Sequence, residues 1–457
     1  MNRRDFLKYS GLLGLGGALP ALSSFNLFAA HDGYAGPLWL NIDARGGWDP
    51  TSFCDPKGYT SAADPARLNN YPASAIQTIA NSPIRIAPAY DGYDTTVQPY
   101  LALDFFQKYK DRLLIINGID HQTNSHSDGQ RYSWSGKLAT QGYPNIAALI
   151  AADLAGEKAM PFITSGGYSL GANLLTPIQI KNRALSALLE IAYPNRSGSQ
   201  QNSSSPTYFP ENVFTAIKTS RDARLTSLRS EQRLQRIQTA IDNLANARQS
   251  TAHMTELVDF IEANPASKTL ADFNNRSAAY NAYVQGHFAL AAYKVGVTAS
   301  AQISISGFDT HSDHDARHYP RLLDYLQAVD AILDEAALPA FGLADSLVVS
   351  MGSDFGRTNK YNAGAGKDHW PITSMMFMGN SQQVIRGNRV IGQTTDNHKA
   401  INIDPVTLEA DVNDTNPNSA RITPAHIHRA LRNLAGIQNS ANAAQYSLDG
   451  QDIDLFS

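Results

Sequence analysis

The chain has 457 residues, enough to bury a large core and to allow two or three domains. Its composition is that of a globular protein, 43% hydrophobic and 17% charged, and a formal charge of -4 leaves no basic excess for general attraction to nucleic acid. A single cysteine, Cys54, excludes an intramolecular disulfide, so the fold must rest on its core.

Residues 1–30 read as a targeting segment and are set aside from the fold. Arg3-Arg4 precede Phe6-Leu7-Lys8, and Gly11–Leu22 is a short, Gly-rich, mildly apolar stretch, the pattern of a bacterial twin-arginine export signal. Cleavage is expected near Ala21–Ser23 or Ala29–Ala30. About a dozen apolar residues fall short of the roughly 20 that cross a bilayer. The expectation is a protein handed to the twin-arginine export machinery, periplasmic or otherwise exported, with no stable membrane span once mature.

Pro37–Asp43 reads as the first strand, emptying into Gly46-Gly47-Trp48-Asp49. Asp49 is there a turn residue or an acid at the strand's carboxyl end. Cys54-Asp55-Pro56-Lys57 has part of the Cys-x-Pro-x-Arg signature of sulfatases, but Gly58 stands where the arginine should be; the other reading is a buried thiol. Tyr100–Tyr109 predicts a helix and Arg112–Asn117 a second buried strand. A polar loop then leads into a helix from Gly129 to Leu138, placing Ser125 and Ser127 near its N-terminus, where an anion is favoured and where serines also cap. Ile146–Ala155 predicts another helix and Pro161–Thr164 a short strand.

From about residue 166 to 298 the pattern turns helical, with one amphipathic helix expected across Leu225, Leu228, Leu234, Ile237, Ile241 and Leu244. Ser197–Pro206 reads as a low-complexity loop, and the whole stretch as a helical insertion in an α/β core. Two β-branched runs follow, Ile303–Ser306 and Leu347–Ser350, joined through a helix over Tyr319–Leu333 as a right-handed crossover. Ile372–Met378 is a further strand, and Thr423-Pro424 starts a last helix whose His426 and His428 are expected on different faces, structural or exposed.

The chemistry collects where these strands end. The first central run delivers Asp309, His311, Asp313 and His314; the second delivers Asp354 and Arg357, and the Gly-rich loop after it Asp368 and His369. Open α/β sheets bind ligands at that edge. Carboxylates and imidazoles gathered there either ligate a cation or pair with one another.

The ordered set GGWD, SHSDGQRYSWSG, SGFDTH and MGSDFGRTNKYNAGAGKDHW resembles the DUF1501 family of exported bacterial proteins, which is similar to the alkaline phosphatase and sulfatase superfamily. The resemblance implies a three-layer α/β/α sandwich, alkaline-phosphatase-like, formed by residues 31–457 as one domain. It places Asp49 as the first acidic ligand, Ser125 at the nucleophile position and Asp354 as a further acidic ligand, with Arg357 beside it either to grip an anionic substrate or to hold Asp354 in place. It puts Asp309, His311, Asp368 and His369 in two further motifs of a site for two divalent cations, zinc, manganese or calcium, or for one or none in a reduced form. Phe355 stands where active phosphatases carry a histidine, and the short Asp-Thr-His spacing leaves His314 as a substitute ligand. Two functions follow: a metal-dependent hydrolase for phosphate or sulfate esters or another small anionic substrate, or a non-catalytic envelope binding or assembly protein that keeps the fold. A nucleotide-binding enzyme is disfavoured, because no Gly-rich stretch has dinucleotide or P-loop spacing.

Overall fold

The computed structural model describes residues 34–180, 192–193, 195–196, 206–249, 251–381 and 383–457. The expected targeting segment, its expected cleavage sites and most of the Ser197–Pro206 loop lie outside the described residues.

Eight strands form one sheet. They are β1 (Leu38–Arg45), β2 (Leu113–Asp120), β3 (Phe162–Thr164), β4 (Ile178–Gln179), β5 (Ser300–Ser306), β6 (Leu347–Ser353), β7 (Ile372–Met378) and β8 (Arg389–Ile391). Their order is β8-β2-β7-β6-β1-β5-β3-β4. All neighbours are parallel except β7, which runs antiparallel to both β2 and β6. β4 lies inside the stretch that sequence assigned to a helical insertion, so the sheet extends one strand into it.

The sheet is covered on both faces, which is why its strands read as unbroken apolar runs rather than alternating ones. Alternate residues serve different cores. Leu113, Ile115, Leu347, Val349, Met376 and Met378 pack into one cluster, while Leu114, Ile116, Val348, Met375 and Phe377 pack into the other. The first layer contains α1 (Ala102–Tyr109), α6 (Thr251–Ala263), α7 (Ser277–Lys294) and α8 (His314–Ala337). The second contains α2 (His126–Ser135), α3 (Ile146–Ala155), α9 (Pro424–Leu434) and the C-terminal residues Ile453, Leu455 and Phe456. This is the expected three-layer α/β/α sandwich.

α4 (Glu211–Glu231) and α5 (Gln235–Gln249) replace the single amphipathic helix expected over Leu225–Leu244. Gln232 takes an extended conformation and breaks it; the two helices then fold back, and Arg229 Nη2 donates to Asp242 Oδ2 at 3.1 Å. Cys54 is buried in the first core, and burial pushes its thiol well up, as the bland reading of that residue expects. His426 and His428 are both buried and structural: His426 Nδ1 caps its own helix at Thr423, and His428 Nε2 donates to the Ser133 carbonyl at 2.8 Å.

Candidate metal centre

Register brings the chemistry together. Ala44 of β1 lies level with Ile305 of β5 and with Ser353 of β6, so the loops after all three strands leave the same edge. β7 is antiparallel, so its beginning lies at that edge too, with Ile372 opposite Asp120 at the end of β2. His369 just precedes β7 and His126 opens α2 just beyond β2. The Gly46-Gly47 turn is tight enough to admit no side chain: a Cβ on Gly46 would sit 2.5 Å from the Asp309 amide nitrogen and one on Gly47 2.7 Å from the Phe355 ring. Both have positive φ, which glycine adopts without strain.

At the centre is the Asp309 carboxylate, half exposed at the mouth. Its Oδ1 lies 2.9 Å from His311 Nε2 and 3.1 Å from His369 Nε2, and those two nitrogens are 3.0 Å apart. Its Oδ2 lies 3.4 Å from His126 Nε2. His126, Asp309 and His369 each offer an atom within 4.8 Å of the others, the spacing of ligands about one ion.

The far side of each ring fixes its proton. His369 Nδ1 is 2.8 Å from the Asn124 carbonyl, which can only accept, so Nδ1 carries the hydrogen and Nε2 a lone pair. His311 Nδ1 donates to Asp368 Oδ1 at 2.7 Å, and His126 Nδ1 donates to the buried Asp354 Oδ2, also at 2.7 Å. All three Nε2 lone pairs therefore face one carboxylate, an arrangement of acceptors that repel unless a cation or an added proton lies among them. His126 Nε2 is buried with no hydrogen-bond partner. Backing each ligating imidazole with a carboxylate or carbonyl is how proteins orient metal-bound histidines, so the residues present fit a cation.

Electrostatics agrees. Burial works to raise the Asp309 pKa, but the hydrogen bond and positive charge of the Arg357 guanidinium hold it far below the ordinary carboxylate range. Burial lowers His369, with Arg357 and His126 adding to the effect, so that ring resists protonation. His126 runs the other way: its hydrogen bond to Asp354 raises its pKa, so this ring is where the added proton sits when no cation is bound.

Arg357 is buried and four of its five N–H donors are spoken for. Nε donates to Gly47 O at 2.8 Å, Nη1 to Lys367 O at 3.1 Å, and Nη2 to Gly46 O and to Asp309 Oδ1, the latter at 2.8 Å. It therefore clamps the glycine turn and holds Asp309 in place; it does not contact Asp354 as an ion pair. Asp354 itself lies behind His126, also accepting from the Gly46 amide at 3.1 Å, while its Oδ1 is buried without a partner. Asp368 stands behind His311 and is steadied by Asn362 Nδ2 at 3.1 Å. Ser125 is the N-cap of α2 one residue ahead of His126; its hydroxyl bonds to Ser127 Oγ at 3.1 Å rather than to any histidine.

Asp49 and His314, both expected as ligands, are in a separate and closed network. Asp49 Oδ2 takes Lys367 Nζ at 2.6 Å and His314 Nε2 at 3.1 Å, and Oδ1 takes the Thr51 amide at 3.0 Å. The Asp49 amide donates to His318 Nε2 at 2.9 Å, which leaves the His318 proton on Nδ1, bonded to Thr310 Oγ1 at 3.0 Å. Thr310 then donates to His314 Nδ1 at 2.8 Å, and the His314 proton falls on Nε2, facing Asp49. Every lone pair of Asp49 that a cation would need is turned to Lys367, His314 and the local turn. Of the residues expected as ligands, Asp309, His311 and His369 converge, Asp354 and Asp368 support them from behind, and Asp49 and His314 do not join.

His126 was missed by sequence reasoning. It lies inside the quoted Ser-His-Ser run at a strand end, but attention there went to the serines. Lys367, Thr310 and His318 were missed as well, since nothing local marks a lysine as the partner of an aspartate 318 residues away.

No curated protein matches this chain in sequence. Among solved structures, the chain is similar to the lipoteichoic acid synthase LtaP from Listeria monocytogenes, at 10% identity and TM-score 0.36, over 95% of this chain and 78% of that one. It is also similar to a sulfatase from Pseudoalteromonas sp., at 9% identity and TM-score 0.33, over 92% and 73%. A phosphonate monoester hydrolase from Silicibacter pomeroyi gives 9% identity and TM-score 0.29, over 91% and 78%. Residues 40–424, which carry every strand end described above, match the family described as protein of unknown function DUF1501, and the chain belongs to that family.

Proposed function

We propose that this chain is an exported, metal-dependent hydrolase-like protein acting on a phosphate or sulfate ester or a related small anion. The observation that carries the reading is the convergence of three Nε2 lone pairs, from His126, His311 and His369, on the Asp309 carboxylate. Three imidazoles and one carboxylate suit zinc or manganese better than calcium, which takes mostly oxygen. When bound, the cation would polarise an ester oxygen as a Lewis acid. The chain's own residues do the rest. Arg357 fixes Asp309, Asp354 and Asp368 fix two of the rings, and the N-terminus of α2, with Ser125 and Ser127 beside it, favours a negative charge next to the ligands. Arg3-Arg4 and the apolar stretch behind them support export through the twin-arginine route.

Metal content of the freshly purified protein tests this reading, together with hydrolysis of p-nitrophenyl phosphate and sulfate with and without chelator. About one equivalent of zinc or manganese is expected, lost in His126→Ala and His369→Ala, with chelator-sensitive turnover. A metal-free wild type without turnover overturns it.

A second reading, a non-catalytic envelope binding or assembly protein, is favoured by two specific features. Among the described residues the Ser125 hydroxyl has only Ser127 as partner, and the Phe355 ring packs at 4.9 Å and 4.6 Å from the His126 and His369 rings where a further ligand would stand. Metal binding that survives with no turnover, and Ser125→Ala that leaves the cellular phenotype unchanged, would select this reading over the first.

A further inference from the structure

The hairpin of α4 and α5 stands apart from the rest of the molecule. α4 is 21 residues long, about 31 Å at 1.5 Å per residue, and buries none of them. A helix held by no core needs another source of stability, since propensity alone leaves such lengths marginal. Along the hairpin Phe209, Val213, Ile217, Leu228, Leu234 and Leu244 remain 37% to 55% exposed. On α4 three of them, Val213, Ile217 and Leu228, fall within a narrow arc of one helical face, with Arg224 between them. Isolated exposed apolar residues need no explanation, but a row of them on one projecting element does.

Charge narrows the occupant. Residues 211–249 contain seven Lys and Arg against four Asp and Glu in a chain whose overall charge is negative. Arg221 and Arg229 are paired with Asp222 and Asp242; Lys218, Arg224, Arg233 and Arg236 are exposed and have no carboxylate partner among the described residues. A second copy of the hairpin, packed about a twofold axis, would set these unpaired cations against each other. No residue of α4 is buried, so its apolar row is open to solvent along the helix and suits something soft and flat. Basic side chains interleaved with aliphatic ones can bury the latter in acyl chains while reaching up to anionic headgroups.

We propose that the α4–α5 hairpin is a peripheral docking arm for an anionic phospholipid surface. It lies on the membrane without crossing it, in keeping with the lack, among the described residues, of any helix long and apolar enough to span.

The test is co-sedimentation of the full chain with vesicles of phosphatidylcholine mixed with phosphatidylglycerol, and with phosphatidylcholine alone. Lys218→Glu, Arg224→Glu, Arg233→Glu and Arg236→Glu combined should lower partition onto the anionic vesicles by roughly tenfold or more. A second variant, Ile217→Ser with Leu228→Ser, should lower it without changing the charge of the hairpin. Wild type should bind the neutral vesicles weakly and leave the anionic ones as salt rises from roughly 0.1 M to about 0.5 M. All of these positions are exposed, so circular dichroism and melting should stay at wild-type values and separate lost docking from lost fold. Equal partition of wild type and both variants overturns the proposal. So does light scattering that shows the wild type to be a dimer which both variants dissociate while their vesicle binding is unchanged, because the arm would then be a protein interface.

Discussion

Lys367 and Asp49 form the least accessible ion pair at the sheet's carboxyl edge, with both side chains at 0% exposure. Burial alone would raise the Asp49 carboxyl, but the Lys367 ammonium and the His314 hydrogen bond override it and hold the pKa well below the ordinary range. A depressed carboxyl contributes stability that is present above the unfolded pKa, about 3.9, and lost as pH falls through the folded one. Lys367→Met leaves the charge buried without its cation, so it should cost about 3–5 kcal/mol at neutral pH. The cost should shrink near pH 4, where Asp49 of the variant can take up a proton. Urea midpoints at the two pH values check this, and a penalty independent of pH would remove Lys367 from the role. Asp43 has the opposite sign. Burial, with Asp354 adding to it, pushes its pKa up to about 8, so the folded chain keeps a proton that the unfolded chain releases above about 3.9. Stability should therefore fall as pH rises from about 4 toward 8, at no more than about 1.4 kcal/mol per unit, and level off beyond. Asp43→Asn, which preserves an acceptor for the Trp134 indole, should flatten that slope. Identical slopes in the two proteins would refute the assignment.

At the level of elements, the position of α2 decides whether His126 reaches the cluster. Gly129, one turn into that helix, sits where a Cβ would strike the Asp354 carbonyl oxygen and the Phe355 ring. The helix can approach the end of β6 this closely only because that residue has no side chain. Gly286 in α7 makes a comparable approach to Ile332 of α8, far along the sandwich from the site. The two glycines make a paired prediction. Gly129→Ala should weaken metal binding by about 10–100-fold, the usual effect of disturbing what lies behind a ligand, because it moves His126 off Asp354. Gly286→Ala should lower stability by about 1–3 kcal/mol by overpacking while leaving metal content intact. Calorimetric titration with zinc alongside melting curves distinguishes them; equal loss of metal in both would mean that α2 is not specially placed.

For the molecule as a whole, one sheet is shared by both cores, so the strands cannot loosen on one face without the other. Residues 34–457 group as one unit by their contacts. The α4–α5 hairpin shares little of this. Hydrogen exchange should report its α4 amides as the fastest among the long helices and those of β1 and β6 as the slowest, because local opening of α4 exposes no core. Protection of α4 equal to that of β1 in the lipid-free protein would contradict that picture.

Much of this could be read from the chain alone. A strand buried on both faces must be a short uninterrupted apolar run, so Leu347–Ser350 and Ile372–Met378 announced themselves, and the polar residues after such runs had to lie at a sheet edge. That reasoning found Asp309, His311 and His369. It did not find the limits of the hairpin, because periodicity continues across Gln232 although the backbone does not. Nor did it find which acids gather with the imidazoles. Alternation along a strand fixes the face of a residue, but depth and partner are set by loops whose paths depend on contacts hundreds of residues away. Only the folded chain could bring Lys367 to Asp49, closing one expected ligand, and turn the His126 ring toward Asp309, supplying another.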